Sequence, residues 1–167
     1  MKKLILLLLI LFIPVIGHAQ TADEYFDIAI TKINKGDYED ALVDINIAIE
    51  LDPNYAGFYA ARGSVKGKLG DYEDAIEDFD KAIELNPRLA IVYYNRGSAK
   101  RDMKDTNGAL KDYNKAIELD PNISQIYLSR GKLRIALRLK EPGCQDLSKA
   151  KELGNTKAPA IIKEYCQ

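Results

Sequence analysis

The sequence predicts an all-α solenoid, a stack of antiparallel helix pairs, and three observations predict it. The segments Leu51-Asp52-Pro53-Asn54, Leu85-Asn86-Pro87-Arg88 and Leu119-Asp120-Pro121-Asn122 recur at a strict step of 34 residues. Other columns keep that step: Tyr25, Tyr59, Tyr93 and Tyr127; Ala41, Ala75 and Ala109; Ile45, Phe79, Tyr113 and Leu147; Ala48, Ala82, Ala116 and Ala150. Each interval also holds two amphipathic stretches of about 14 residues, parted by a turn signal such as Gly36-Asp37 or Gly70-Asp71. A period of this length marks one supersecondary unit repeated. No hairpin of that size buries its apolar face alone, so three or more must stack.

The elements follow in chain order. Met1-Lys2-Lys3, an apolar run from Leu4 to Ile16 and then Gly17-His18-Ala19-Gln20 read as a charged region, an apolar region and a small-residue cleavage site. That is a secretory signal peptide over 1–19, leaving a domain over 20–167. The alternative, an uncleaved membrane anchor, needs roughly 20 apolar residues without a break, and this run is interrupted by Pro14. The expected location is therefore the periplasm or the exterior. Four units begin at Ala22, Ala56, Ala90 and Ser124, spanning about 22–55, 56–89, 90–123 and 124–157. Asp37 and Asp71 are candidate N-caps. Proline after each second helix cannot continue it. In the fourth unit the pattern decays, with Lys140-Glu141-Pro142-Gly143-Cys144 in place of the usual turn and Asn155 in place of proline. A short helix from about Pro142 to Leu153 is expected, then a capping helix from about Lys157 to Tyr165. Ala158, Ile161, Ile162 and Tyr165 give that last helix an apolar stripe over the open end of the stack.

The pattern resembles the tetratricopeptide repeat family across nearly all of residues 22–157. Unit three carries it most plainly, in Tyr93-Tyr94-Asn95-Arg96-Gly97, Ala109, Tyr113, Ala116 and Pro121. The resemblance implies a right-handed solenoid with a concave groove lined by first-helix residues, and a protein partner held there. Carried over residue by residue, the groove positions are Gly57, Ala60, Ala61, Ser64, Gly67 and Lys68 in unit two. In unit three they are Ile91, Tyr94, Asn95, Ser98, Arg101 and Asp102, and in unit four Gln125, Leu128, Ser129, Lys132 and Ile135. Tyr94, Asn95, Ser98, Arg101 and Lys132 are the partner-binding candidates. Asn95 leads, because an amide offers both donor and acceptor to a peptide backbone. Family members that bind chaperone tails use a lysine, asparagine and arginine clamp on carboxylates. Here its positions hold Phe26, Ile30, Ala61, Ile91 and Asn95, so the clamp is absent.

The seventh position reads Ile28, Arg62, Arg96 and Arg130, where the family mostly has an apolar residue. Asp44, Asp78, Asp112 and Asp146 form a column on the second helices. A buried guanidinium needs a carboxylate, so structural ion pairs between Arg62, Arg96 and Arg130 and Asp44, Asp78 and Asp112 are expected. Whether Arg96 meets Asp78 or Asp112 is open at this level, and the competing reading has these arginines clamp an anionic ligand.

Cys144 falls in the first turn of one short helix and Cys166 at the end of the next, so antiparallel pairing brings them together. Secretion would place them in an oxidising compartment, favouring a disulfide over a redox pair. The lone histidine, His18, lies in the signal segment, which excludes histidine-dependent catalysis and histidine-ligated metals from the processed chain. Glu73 and Asp74 read as a charged helix face, not as an acid–base pair. No cofactor or metal is implied. Loss of Lys2 and Lys3 takes the net charge from −1 to −3, which argues against general nucleic-acid binding. The functional expectation is a non-enzymatic scaffold for another protein, the alternative being a structural or self-associating envelope module.

Overall fold

The computed structural model describes residues 20–167, and the signal peptide expected over 1–19 lies outside them. Among the described residues the chain forms helices α1 (Ala22–Lys35), α2 (Tyr38–Leu51), α3 (Ala56–Leu69), α4 (Tyr72–Leu85), α5 (Ala90–Asp102), α6 (Thr106–Leu119), α7 (Ser124–Ala136), α8 (Lys140–Glu152) and α9 (Ala158–Tyr165). They pair as α1/α2, α3/α4, α5/α6 and α7/α8, and α9 closes against α8. None is long and apolar enough to cross a membrane.

Local chemistry sets the helix ends. Thr21 and Glu24 form a reciprocal capping box at the start of α1, satisfying two otherwise free backbone donors. Gly36 and Gly70 end α1 and α3 in the left-handed region at φ 90° and 96°, which glycine enters without steric penalty. At the equivalent places in units three and four Lys104 and Arg138 adopt φ 69° and 63°, a strain of roughly 1–2 kcal/mol each.

Asp37 and Asp71 precede α2 and α4, but neither side chain caps its helix. Asp105 does, its Oδ1 accepting from Gly108 N at 2.9 Å. The difference lies three residues on, where Gly108 leaves room for the folded-back carboxylate: a Cβ there would sit 2.1 Å from Asp105 Oδ2. Units one and two place Asp40 and Asp74 at that point, adding bulk and like charge. The helix of the fourth unit starts at Lys140, earlier than expected. Pro142 sits in its first turn, where a missing N–H removes no helical bond.

Packing follows the columns. Ala41, Ala75, Ala109, Ala48, Ala82, Ala116 and Ala150 are fully buried, as are Ile45, Tyr113 and Leu147, with Phe79 nearly so. Small residues on the first helix let each pair close up. A Cβ on Gly63 would lie 2.9 Å from the Phe79 ring, and one on Gly97 3.0 Å from that of Tyr113. Between units, buried Phe58, Val92 and Ile126 on the first helices reach into the unit before, each contributing roughly 1.5–3 kcal/mol. At the C-terminal end Ala158 is buried, and Ile161 and Ile162 pack on the last core cluster. Tyr165 departs from the expected stripe and is 45% exposed.

Candidate partner-binding groove

The first helices α3, α5 and α7 face a groove of about 920 Å³, and Tyr94, Asn95, Ser98, Arg101 and Lys132 all line it. Helical periodicity puts them there. On α5, Tyr94, Ser98 and Arg101 are spaced by four and three residues and so share one face. The floor is a row of polar contacts, two of which link successive units while the third lies within unit three. Asn95 Nδ2 donates to Ser64 Oγ at 3.2 Å, the Tyr94 hydroxyl and Ser129 Oγ are 3.3 Å apart, and Ser98 Oγ and the Tyr113 hydroxyl 3.2 Å. Burial raises the Tyr113 phenol above its ordinary value, and the Ser98 contact opposes that only in part. Arg101 is held by Asp102 through Nε and Nη2 at 2.9 and 3.0 Å, which pushes its pKa higher still.

The groove is shorter at its N-terminal end than the register implies. Of the unit-two positions Ser64, Gly67 and Lys68 line it, whereas Gly57, Ala60 and Ala61 do not. The Tyr55 ring occupies that end: a Cβ on Gly57 would lie 2.5 Å from it, and it packs edge-on to Phe58 with centroids 4.7 Å apart. Ile91 lies outside the groove, and Ile135 lines a smaller pocket beside Ile161 and Tyr165. Conversely Tyr72, Lys104, Thr106 and Lys157 line the groove, though none is a first-helix residue. They come from turns and second-helix starts.

The arginine column lies elsewhere. Arg96 donates through Nε and Nη2 to Asp112 of its own unit at 2.9 and 2.6 Å, and through Nη1 to Asp80 of the unit before. Arg62 does the same with Asp78 and Asn46, and Arg130 with Asp146 and Asn114. Each guanidinium also lies over the tyrosine three residues earlier, 5.4–5.6 Å from the ring centroid, close enough for cation–π attraction. These arginines are spent on the protein's own groups and do not line the groove, so the anion-clamp reading fails for this column.

Asp44 departs from the expected arginine pairing. Unit one has Ile28 in the arginine column, and Lys32 Nζ approaches Asp44 Oδ2 at 2.6 Å instead, without a well-directed hydrogen bond to that oxygen. The lysine belongs to a further column that sequence reasoning passed over. Lys66, Lys100 and Arg134 reach Asp78, Asp112 and Asp146 at 2.8–2.9 Å. The signal was present, since Lys32, Lys66, Lys100 and Arg134 keep the step of 34.

Cys144 and Cys166 are bonded, with Cα atoms 5.7 Å apart, and tie α8 to the chain just past α9. Among the described residues no histidine, cysteine and carboxylate cluster could hold a metal ion.

Sequence profiles described as tetratricopeptide repeat match residues 22–55 and 90–123, and one described as TPR repeat matches 64–100. No protein of curated function matches the chain. Among solved structures, that of MamA is 25% identical, covers 83% of this chain and 81% of its own, and superposes with a TM-score of 0.74. MamA 41-end from Desulfovibrio magneticus RS-1 is 22% identical over 79% and 75%, TM-score 0.73. The first TPR of Spaghetti (RPAP3), solved bound to the HSP90 peptide SRMEEVD, is 25% identical over 71% and 94%, TM-score 0.69.

Proposed function

Because this chain belongs to the tetratricopeptide repeat family, whose repeats mediate protein–protein interaction, we propose that it is a secreted or periplasmic scaffold holding a segment of another protein in its groove. The groove floor carries the reading: an asparagine amide and a row of hydroxyls at Ser64, Tyr94, Ser98 and Ser129 offer donors and acceptors to an extended backbone. RPAP3 holds a peptide on a related fold. Recognition here differs, since the carboxylate-clamp positions hold Phe26, Ile30, Ala61, Ile91 and Asn95. The scaffold performs no catalysis. An exported location accords with the N-terminal sequence and with the Cys144–Cys166 bridge, a bond that persists in oxidising compartments. N-terminal sequencing of the exported protein should begin at Gln20; a chain retaining Met1 refutes processing.

The groove is tested by changing Tyr94, Asn95 and Arg101 together to alanine. Partners crosslinked in the native envelope should be lost from the variant while its helical circular dichroism persists, and full retention of those partners overturns the reading. Exposed Val43 and Leu51 on the first unit favour a second reading, docking of that end in an assembly. Light scattering on the eluted protein measures it, with a monomer counting against self-association.

A further inference from the structure

Charge on this molecule is segregated. Lys68, Arg101, Lys104, Lys132 and Lys157 line the groove against one carboxylate, Asp102. The groove is thus net +4 within residues 20–167, which carry 22 basic and 25 acidic side chains. Among the described residues six lysines outside the groove are held in ion pairs and five, Lys35, Lys111, Lys140, Lys151 and Lys163, are not, so what sets the groove lysines apart is their gathering on one concave face. Lys32, Lys66 and Lys100 reach the aspartate column, and Lys81, Lys115 and Lys149 each meet a glutamate three residues on. Among the described residues Lys68, Lys104, Lys132 and Lys157 form no ion pair, and all four are exposed. Lys104 holds the left-handed conformation that Gly36 and Gly70 take in units one and two, so unit three places a cation at the groove where the backbone favours glycine.

We propose that the groove's ligand is an acidic extended polypeptide segment, a reading that rests on the groove being the partner site. The cations come from α3, from the end of α5 and the turn after it, from α7 and from the residue before α9, about one or two per unit. A strand rises about 3.3 Å per residue, so carboxylates spaced along it meet cations of successive units, while Asn95 and the hydroxyls take the backbone. A polypeptide fits better than a nucleic acid. Beyond the groove the surface is acidic, repelling a longer polyanion, and of the three rings at the groove, Tyr72, Phe79 and Tyr94, Phe79 is buried in the core, which leaves few faces to stack bases. Contacts to exposed lysines are individually weak, so they act together and yield to salt.

The test is a selection of random twelve-residue displayed peptides against three forms of residues 20–167. These are the wild type, the reversal K68E/K104E/K132E/K157E, and the block G67W/Q125W. Gly67 has room for a side chain, a Cβ there meeting only Ala75 Cβ at 3.9 Å. Each form is first checked for helical circular dichroism and a cooperative melt. The wild type should enrich Asp and Glu. Its best binder should weaken by about tenfold or more on the reversal and between 50 and 300 mM salt. The reversal should enrich Lys and Arg, and the block should bind neither set. Binders lost on the block but without acidic bias overturn the acidic inference and leave the groove reading standing. Binders that survive the block overturn the groove reading itself. No enrichment on the wild type, or displacement of its acidic binder by equimolar twelve-nucleotide single-stranded DNA, overturns the proposal.

Discussion

At the residue scale, the arginine column does what leucine does in most members of this family, and does it by a different physics. Arg96 is partly buried, and its burial opposes its charge; the hydrogen bonds it donates to Asp112 and Asp80 outweigh that and raise its pKa. Removing one side of a buried pair costs about 3–5 kcal/mol, but Asp112 keeps Lys100 at 2.8 Å, which softens the loss. Arg96→Met should therefore cost about 2–3 kcal/mol in urea unfolding, and the double variant Arg96→Met, Asp112→Leu should regain most of it. Arg101→Ala, which breaks an exposed pair with Asp102, should cost under about 1 kcal/mol. Tyr113 gives a pH test. Its folded pKa lies above the ordinary 10.0, so its contribution is fully present below that value and is lost as pH rises through the folded pKa. Stability should fall above about pH 10, and in a titration followed at 295 nm Tyr113→Phe should remove one phenol that ionises above the ordinary value.

At the element scale, the helix pairs were legible because a step of 34 repeats the same burial problem four times and the chain answers it alike each time. Boundaries were less legible where one residue changed the answer. Pro142 reads as a break, yet it is harmless in a first turn, and α8 starts two residues before it. Asp37, Asp71 and Asp105 look equivalent as caps, and only a glycine three residues on lets one of them close. Asp105→Ala should destabilise by about 1 kcal/mol, whereas Asp37→Ala and Asp71→Ala should each cost no more than about 0.3 kcal/mol, the residual interaction with the helix dipole. Chemical denaturation of the three variants makes the comparison. The five groove candidates were readable because the family resemblance supplies the groove positions and the step of 34 carries them onto this chain. Lys104, Thr106 and Lys157 were not, because residues in turns and at second-helix starts reach the groove only once the units are stacked. The Tyr55 ring over Gly57 depends on one side-chain rotamer, which no period encodes.

At the scale of the whole molecule, stability in a solenoid is the sum of unit and interface terms, and its ends are the weak points. The bridge from Cys144 to Cys166, separated by 22 residues, fastens the C-terminal end. Replacing both with serine should cost about 3 kcal/mol in the chain-entropy model. The loss should concentrate in amide exchange of α9 and the end of α8, and uniform acceleration through α1 to α4 would count against a local staple. The arginine arms act on the same scale. Arg62, Arg96 and Arg130 each stand 16 residues from the carboxylate ahead and 16 from the amide or carboxylate behind. The chain thereby gauges its own unit length. A single residue inserted within α4 ahead of Asp78 would swing that carboxylate about 100° around its helix, away from Arg62, and strand it among apolar neighbours. The same insertion displaces fully buried packing such as that of Ala82, and the stranded carboxylate adds the cost of an unpaired buried charge, so packing and charge together hold each unit to one length.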